Sequence, residues 1–508
     1  MLEEERKYQA GAGFALPDLT DQLPSGATLV AARPVTLTAT YYDTADLRLA
    51  RAGVSLRHRR GDKEPWTVKL PADVPGVRRE ISRAGRAGTM PRDLLRLVTA
   101  WSRGAPLAPA AVVRSVRRAY EVTADGQVLA EIADDQVAVL DGKTVRSTFR
   151  EIEVERKEGD RGLLDRLGAA IVGAGAVEGA FTPKHVRALG PAAEAAPDLV
   201  TDDTLPDAPS AGDVVTAALR RDIARIFAHD PLVRLAVPTD EGDTAVHQMR
   251  VGCRRMRSDL RTFDPLLDRR WADGLRAELS WIAGVLGAAR DAEVLRERLR
   301  RTASTDPVAP PDGESIAKID AELVHRHDRA LVEVDDAMGT PRYHALLDAL
   351  VDAAREPRLS ARATDPADDL LPRLVSRPWH RLAYGAKGID GAADLDPGAA
   401  DERWHAVRIN GKKARYAVDA VAPVIGGPAQ KLAKALGKVQ TLLGEHQDAA
   451  VAADTWVDVA RTHPDDLMLA VTAGRLYERE RASIRAVRSA FPDAWRRAAA
   501  PRRTAWLP

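Results

Sequence analysis

Apolar and polar residues alternate along short runs throughout the first 188 residues of the chain. Such alternation places successive side chains on opposite faces of an extended strand. Turn-forming residues separate the runs, which is typical of antiparallel β-structure. The pattern predicts strands at 2–9, 35–43, 53–60, 65–70, 77–82, 112–122, 127–139 and 147–157.

Two segments of this first part have the spacing of helices instead, 92–101 and 163–173. Their apolar sides would cover the outer face of the sheet. Eight strands are enough to close a barrel whose lumen is filled by side chains or holds one small ligand. We therefore expect an eight-stranded antiparallel β tunnel with flanking helices.

Residues 189–212 are rich in Ala, Pro, Asp and Gly and show no apolar period, which predicts a linker. Beyond it the strand signals stop, and the pattern predicts helices at 213–229, 244–263, 270–302, 314–337, 341–354, 370–385, 401–421, 428–458 and 464–490. The expected fold class is multidomain α+β. Its domains would be a tunnel over 1–188 and an all-α domain over 213–500.

The first predicted strand sorts its charges by face. Glu3, Glu5 and Lys7 share one face, and the last strand repeats the arrangement with Glu151, Glu153, Glu155 and Lys157 opposite an apolar face. The apolar face must be the covered outside of the tunnel. The charged face then lines the lumen.

The same parity points further charges inward: Arg57, Arg59, Lys69, Arg79, Arg117, Glu131 and Asp135. A slip of one residue changes the face of a strand. Arg118 therefore competes with Arg117, and Asp134 competes with Asp135. Since burying unpaired charge is costly, a lumen with this composition should hold a ligand.

The chemistry of these residues indicates which ligand. Carboxylates suit a hard divalent cation such as Mg²⁺, which is commonly held by a few carboxylates and the phosphates of a substrate. Arginine and lysine suit a chain of phosphoryl groups, through forked and point-charge contacts. Together they specify a metal-bridged linear phosphate.

These motifs closely resemble the CYTH family of triphosphate tunnel metalloenzymes. The likeness covers about 185 residues and rests on Glu3-x-Glu5-x-Lys7, Tyr42-Asp43-Thr44, Ser55-Leu56-Arg57-His58-Arg59, Val68-Lys69-Leu70-Pro71 and Glu151-Ile152-Glu153-Val154-Glu155. It implies hydrolysis of inorganic tripolyphosphate, thiamine triphosphate or a nucleoside triphosphate with Mg²⁺ or Mn²⁺. Some members of the family are adenylate cyclases instead.

The resemblance also implies roles for individual residues. The metal ligands would be Glu3, Glu5, Asp135, Glu151 and Glu153. The phosphate ligands would be Lys7, Arg57, Arg59, Lys69, Arg117 and Lys184, with Arg79 added by parity. The catalytic set would be Glu3, Glu5, Lys7 and Glu153.

Two helices of the second half carry stripes of basic residues spaced by three and four, which places them on one side of each helix. The first stripe is His247, Arg250, Arg254, Arg257 and Arg261, and the second is His405, Arg408, Lys412 and Arg415. Lys434 and Lys438 follow on the next helix. Because such stripes disfavour a helix unless an anion lies opposite, a long linear polyanion is their natural complement.

The stripes belong to an internal duplication with an offset of about 158 residues, since a Leu-Gly-x-x-x-Asp segment follows each of them. We expect two homologous bundles, at about 213–360 and 365–500, paired around a pseudo-twofold. One departure is Asp419, which stands where the first copy has Arg261.

This half resembles the CHAD domain, a histidine-containing helical family associated with inorganic polyphosphate. The likeness implies that phosphate is contacted by His247, Arg250, Arg254, Arg257, Arg408, Lys412 and Arg415. We expect Arg261, His405, Lys434 and Lys438 to belong to the same polyphosphate site. We also expect His247 and His405 to sense pH, because protonation near neutrality would add positive charge.

The amino-acid composition excludes some further classes of protein. The 75 basic and 74 acidic residues nearly cancel, which argues against a nucleic-acid binder, and the single cysteine, Cys253, excludes an internal disulfide. No signal-like or membrane-spanning run is evident. We expect a cytoplasmic metal-dependent triphosphatase coupled to polyphosphate binding and located at polyphosphate granules. The alternatives are a non-catalytic polyphosphate scaffold and a nucleotidyl cyclase.

Overall fold

The computed structural model describes residues 2–72, 77–178, 182–236, 243–304, 309–386 and 391–508, except for the side chains of Leu2 and Glu3. The chain divides into two compact units, Met1–Asp198 and Leu199–Pro508. The first contains all the described strands, and the second is helical.

The strands of the first unit follow the alternating segments of the sequence. They are β1 (Leu2–Ala10), β2 (Thr28–Ala31), β3 (Val35–Asp43), β4 (Ser55–Arg60), β5 (Trp66–Pro71), β6 (Val77–Arg83), β7 (Ala108–Ala124), β8 (Gln127–Asp141), β9 (Thr144–Arg156) and β10 (Val177–Glu178).

Eight of these strands close into an antiparallel barrel in the order β1-β6-β5-β4-β3-β7-β8-β9, with β9 pairing back to β1. The predicted tunnel is therefore confirmed. Two short strands lie outside the ring, because β2 pairs with β7 and β10 pairs with β1. Both are too short to show a clear alternation in the sequence.

The helices of the first unit lie between or after the strands. They are α1 (Arg48–Arg51), α2 (Arg92–Leu97), α3 (Thr99–Ser102), α4 (Arg161–Gly173), α5 (Lys184–Leu189) and α6 (Pro191–Glu194). The predicted helix at 92–101 is divided at Val98 into α2 and α3. Asp160 caps α4 by accepting a hydrogen bond from the Leu163 amide at 2.7 Å.

The outer face of β1, β8 and β9 is apolar and packs against α4. Tyr8, Ile152 and Val154 form one buried cluster with Leu163 and other side chains of that helix. The helix approaches closely, since a Cβ atom added to Gly168 would lie 2.1 Å from the Tyr8 hydroxyl oxygen. Burial of this outer face leaves the charged face of the same strands inside the barrel.

The helices of the second unit reproduce the predicted segments to within a few residues at most ends. They are α7 (Ala211–Leu235), α8 (Ala245–Thr262), α9 (Arg269–Ala303), α10 (Gly313–Met338), α11 (Pro341–Arg355), α12 (Ala367–Tyr384), α13 (Asp401–Ile425), α14 (Gly427–Arg461), α15 (Leu467–Ala498) and α16 (Pro501–Thr504).

Local sequence explains where several of these helices begin. Ser210 and Asp213 form a reciprocal capping box at the start of α7, and Thr244 accepts a hydrogen bond from the His247 amide at the start of α8. Met249, Cys253 and further side chains at helical spacing on α8 are fully buried. No helix in the described part of the chain is long and apolar enough to cross a membrane.

Candidate functional site

The barrel of the first unit encloses a cavity of about 630 Å³. Strand alternation decides which side chains reach it. On β1, Glu5 and Lys7 line the cavity, whereas Tyr8 lies in the outer core. The charged face predicted for this strand is the inner face, apart from Glu3, whose side chain lies outside the described residues.

Opposite charges occupy facing walls of this cavity. The carboxylates Glu5, Glu131, Asp135, Glu153 and Glu155 lie on the neighbouring strands β1, β8 and β9. The cations Arg57, Arg59, Lys69 and Arg78 lie on β4, β5 and β6. Three strands separate β9 from β4, and β8 from β5, in either direction around the ring, so these strands face each other, while β1 and β6 are neighbours. The separation is incomplete, because Lys7 and Lys157 lie on the acidic side and Glu80 on the basic side.

Lys184 holds the centre of the acidic wall. It begins helix α5, and its Nζ lies 2.8 Å from Asp135 Oδ2, 3.0 Å from Glu151 Oε1 and 2.8 Å from Glu153 Oε1. A second ammonium, on Lys7, pairs with Glu153 and lies 3.3 Å from Glu5 Oε1. Two lysines thus contact four carboxylates from three strands.

Arg117 on β7 completes this charge network. Its Nε donates to Asp135 Oδ1 at 2.9 Å, and its Nη2 donates to Asp135 Oδ2 at 2.6 Å and to Glu153 Oε2 at 2.8 Å. Asp135 is fully buried. A forked pair of this kind holds a guanidinium in a fixed orientation.

The pKa directions follow from this network. Burial alone would raise the pKa of Asp135 and Glu153, but Lys184 and Arg117 hold both pKa values below their ordinary range, with Lys7 adding to the effect on Glu153. Burial does raise the pKa of Glu151, in spite of the two lysines. The carboxylates in turn raise the pKa of Lys7 and Lys184 against the effect of burial. The tunnel therefore keeps Lys7 and Lys184 charged.

The acidic wall fits a divalent cation in its chemistry. Among the side chains that the structure describes, no three His, Cys, Asp or Glu residues already stand as a ligand group for a metal ion. Yet Asp135, Glu151 and Glu153 converge on a single cationic atom, Nζ of Lys184, and their oxygens are the donors that Mg²⁺ and Mn²⁺ prefer. These three residues with Glu5 would hold the ion, and the ammonium of Lys184 would have to move aside.

The basic wall is only partly neutralised. Lys69 Nζ lies 2.9 Å from Glu80 Oε2, and Arg59 Nε lies 2.5 Å from Asp62 Oδ2. The buried Nε of Arg57 has no hydrogen-bond partner among the described residues. Donors on this wall therefore remain available to phosphate oxygens.

The structure corrects the face assigned to β6. Arg78, not Arg79, lines the cavity. The register explains this, because Glu80 pairs with the inward Lys69, and Arg79 pairs with Leu70, which is buried on the other face. Two adjacent arginines gave the sequence pattern no means of setting the phase of this strand.

The sequence left open which residue of two adjacent pairs faces the lumen, and the structure shows the face of each. Arg117 and Asp135 line the cavity, while Arg118 does not. Asp134 lies on the other face and pairs with Arg150 at 2.7 Å. Glu151 is buried against Lys184 and does not reach the cavity surface itself.

Sequence reasoning missed two aromatic residues of the cavity. Tyr41 lines the cavity and stacks on His185 with ring centroids 5.1 Å apart. Burial and then the nearby Arg78 lower the pKa of His185 to about 3, so its ring is neutral. The one available signal was that His185 directly follows Lys184.

The second unit has a basic groove between α8, α9, α13 and α14, with a volume of about 570 Å³. Both stripes contribute to it, through His247, Arg250, Arg254, His405, Arg408, Lys412 and Arg415. Gly287 permits the close approach of α9, because a Cβ atom there would lie 3.3 Å from Nη2 of Arg250. The structure thus brings together seven of the eleven residues predicted for this site.

Acidic residues only partly neutralise the groove. Asp291 lies 3.9 Å from Arg250 and Asp448 lies 3.8 Å from Arg408, at the limit of an ion pair. Burial and then Arg254 lower the pKa of Arg250. The same two causes, together with Arg408, lower the pKa of Lys412 to about 6. The crowded cations lack sufficient counter-charge of their own.

Four predicted residues lie away from the groove. Arg257 and Arg261 are further along α8, and Lys434 and Lys438 are exposed on α14. In their place the groove includes Arg225 and Arg290, which helical spacing within one stripe could not reveal. His247 does not suit the expected pH response, because burial and then Arg290 lower its pKa to about 4.

Sequence comparisons match these two units to two domain families. Residues 1–174 match the CYTH domain and residues 217–457 match the CHAD domain. Two Mycobacterium tuberculosis proteins, MT2285 of strain CDC 1551 and Rv2226 of strain H37Rv, are each 30% identical over 507 residues, covering 94% of this chain and 93% of their own. The chain is a CYTH–CHAD protein.

The CYTH match covers the barrel strands, and the CHAD match runs from α7 to α14. CYTH domains form a family of metal-dependent triphosphate tunnel enzymes, usually with Mg²⁺ or Mn²⁺. Among solved structures, PptA from Streptomyces chartreusis is similar to this CYTH–CHAD protein with 27% identity and a TM-score of 0.46, over 57% of this chain and 99% of its own.

Proposed function

We propose that this CYTH–CHAD protein hydrolyses a phosphoanhydride bond of a linear triphosphate in its tunnel and binds inorganic polyphosphate in its helical groove. The substrate class is inorganic tripolyphosphate or an organic triphosphate. The observation that carries the first half is the pair of facing walls, acidic on β1, β8 and β9 and basic on β4, β5 and β6.

The basic wall would bind the substrate. Arg57, Lys69 and Arg78 line the lumen, and the buried Nε of Arg57, which has no hydrogen-bond partner among the described residues, could donate to a phosphoryl oxygen there. Phosphoryl transfer depends chiefly on positioning and on stabilising charge that is already present in the substrate. The tunnel wall supplies both, because its cations are held by the barrel rather than by mobile loops.

The acidic wall would direct the attacking water. Glu153 accepts hydrogen bonds from Arg117 and stays ionised, since its pKa is held well below the ordinary value. An ionised carboxylate held in this way can orient a water for in-line attack. When bound, Mg²⁺ or Mn²⁺ would neutralise phosphate oxygens of the substrate.

The helical groove would act as the binding module. Its cations lie close together with few acidic partners, which is the charge arrangement that a flexible polyanion neutralises. Because both units belong to one chain, polyphosphate bound in the groove would keep the tunnel near polyphosphate stores. We propose the cytoplasm, at polyphosphate granules, as the place of action.

A substrate panel tests the proposal on the full chain. Tripolyphosphate, thiamine triphosphate, ATP and long-chain polyphosphate are each incubated with Mg²⁺, Mn²⁺ or a chelator, and phosphate release is measured. The proposal requires metal-dependent release from at least one triphosphate. Cyclic nucleotide formed from ATP would favour a cyclase, and no turnover with any triphosphate would favour a non-catalytic scaffold.

A second assay tests the helical half. Retention of long-chain polyphosphate by the full chain is compared with retention by a variant with Arg254→Gln and Arg408→Gln. The variant should lose most of the retention while its tunnel activity stays unchanged. Equal retention by both proteins would contradict the assignment of the groove.

A further inference from the structure

A second pocket of the helical unit, separate from the groove, lies where α8, α12 and α13 meet. Its volume is about 250 Å³, and none of its lining residues also lines the groove. Four cations line it, Arg261, Arg377, Arg381 and Lys413, against one carboxylate, Asp264. The three arginines are exposed at its mouth.

Because the sequence of the helical unit is duplicated, this pocket can be compared with the equivalent position in the other repeat. At the repeat offset of 158 residues, Lys413 corresponds to Arg255, Arg261 to Asp419 and Ser258 to Tyr416. Helices α7 and α12 correspond from their first residues, Ala211 and Ala367, which places Pro378 opposite Asp222. The two copies therefore build equivalent sites from different side chains.

The first copy neutralises its cation internally. Arg255 lies 3.4 Å from Asp222 and 3.2 Å from Asp419, and its guanidinium lies over the ring of Tyr416 at 5.2 Å. Asp259 adds a third carboxylate nearby, and burial raises its pKa well above the ordinary value. The cation of the first copy therefore has carboxylate and aromatic partners within the chain, and Arg255 and Tyr416 themselves line the groove.

The second copy replaces each of those partners. Arg261 stands in place of the carboxylate, Pro378 removes another, and Ser258 replaces the tyrosine ring and so leaves an open volume. Burial and then Arg261, Arg381 and Arg257 lower the pKa of Lys413. No carboxylate of the described residues pairs with Lys413 within ion-pair distance.

A polar group in the pocket also lacks a partner. The hydroxyl oxygen of Ser258 is buried and has no hydrogen-bond partner in the part of the chain that the structure describes. The Asn410 side chain lines the same pocket, and this residue is only 5% exposed. A buried hydroxyl without a partner is destabilising, and a bound oxyanion would accept its hydrogen bond.

From this arrangement we propose that the pocket between α8, α12 and α13 is a second anion site, which takes a tetrahedral phosphoryl group. Lys413 and Arg381 would bind its oxygens, with the Ser258 hydroxyl as a further donor. The phosphoryl group comes either from free inorganic phosphate or pyrophosphate, or from a stretch of a long polyphosphate chain. The site does not depend on the groove, since the two share no lining residue.

The test uses the full chain and two independent ways of removing the pocket. Lys413→Gln and Arg381→Gln together remove charge, and Ser258→Tyr introduces the side chain of the first copy into the open volume. Arg373→Gln is the matched control, because Arg373 is exposed on α12 and does not line the pocket. Thermal unfolding establishes that each variant folds.

Calorimetric titrations with pyrophosphate and with long-chain polyphosphate distinguish the sources. If free phosphate species are the ligand, both pocket variants bind pyrophosphate about tenfold more weakly and long chains as before. If a chain segment is the ligand, long-chain affinity falls by a similar factor and pyrophosphate binding is unchanged. The inference is overturned if folded variants match Arg373→Gln with both probes.

Discussion

The tunnel and the helical groove are both rich in cations, but they treat those charges in opposite ways. In the tunnel, Lys7, Arg117 and Lys184 are surrounded by carboxylates, which raise the pKa of each. In the groove, burial and then Arg254 lower the pKa values of Arg250 and Lys412, and burial lowers that of Arg408 in spite of Asp448.

This difference indicates two kinds of phosphate site. A tunnel that neutralises itself can enclose many charges without a ligand, and it can exchange its internal ion pairs for a metal ion and a phosphate chain. A groove of crowded cations gains counter-charge only from outside. The first arrangement suits a reaction, and the second suits tight retention of a polyanion.

Removing the central carboxylate of the tunnel should have the largest effect. Glu153 contacts Lys7, Arg117 and Lys184, so Glu153→Gln should lower the rate of triphosphate hydrolysis about 100-fold or more. Steady-state phosphate release measures it. Glu178→Gln, at an exposed position on β10, is the control. Polyphosphate retention should be unchanged, and equal rates in both variants would contradict the tunnel mechanism.

Loss of one groove cation should weaken polyphosphate binding by about tenfold. For Arg254→Gln we also expect a shallower dependence of the binding constant on salt, by about one in the double-logarithmic slope. Binding measured at several salt concentrations gives both quantities. Lys438→Gln should change neither as much, since Lys438 is exposed on α14 away from the groove. The reverse order of effects would show that the groove is misplaced.

The groove should take up a proton when polyphosphate binds. Because the pKa of Lys412 is about 6 without ligand, this amine is mostly neutral at pH 8, and bound phosphate would favour its charged form. Affinity should therefore fall as the pH rises from 7 to 8, by up to about tenfold. Calorimetry in buffers of different ionisation enthalpy measures the number of protons taken up on binding.

Two variants check the origin of that proton. Lys412→Arg should bind well at pH 8 with little uptake, whereas His247→Gln should keep the wild-type profile, because the pKa of His247 is about 4. The stability of the unliganded protein should change with pH in the opposite direction to the affinity for polyphosphate. The folded pKa of Lys412 lies below its unfolded value, so the free energy of unfolding should rise with pH above about 6. A pH profile that follows His247 instead would contradict this assignment.

The smallest effect is expected for substitutions of two adjacent arginines on β6. Arg78→Gln removes a cation that lines the tunnel and should raise KM for a triphosphate about fivefold, with little change in kcat. Arg79→Gln changes the opposite face and should leave KM unchanged. If Arg79→Gln had the larger effect, the register of β6 would be wrong.

Much of the fold can be predicted from the sequence, because apolar residues recur with the period of a strand in the first half and with the period of a helix in the second. The alternation of β1 and β9 sets which face is apolar, and burial against α4 then decides that the charged face is inside. On β6 the same reasoning failed, since Arg78 and Arg79 are equally basic. The pairing of Lys69 on β5 with Glu80 on β6 shows which side chains of β6 face inward. The sequence of a single strand does not reveal how that strand pairs with its neighbour.

Long-range contacts explain what remained hidden. The sequence places Lys184 far from β8 and β9, and only the return of α5 to the barrel brings it to Asp135, Glu151 and Glu153. Helical spacing likewise puts Arg261 in line with Arg254, but α12 packs beside the end of the stripe and gives Arg261 a different pocket. Spacing along one helix cannot show where its neighbours interrupt a surface.

The sorting of charge by face is tested most directly on adjacent residues of β1. Glu5 lines the tunnel, while Glu4 pairs outside it with Arg156 and Arg161 at 2.8 Å. Phosphate release from tripolyphosphate with Mg²⁺ or Mn²⁺ is measured for Glu5→Gln and Glu4→Gln. We expect hydrolysis to fall by about 100-fold in the first and to persist in the second. Full activity of Glu5→Gln would contradict the account.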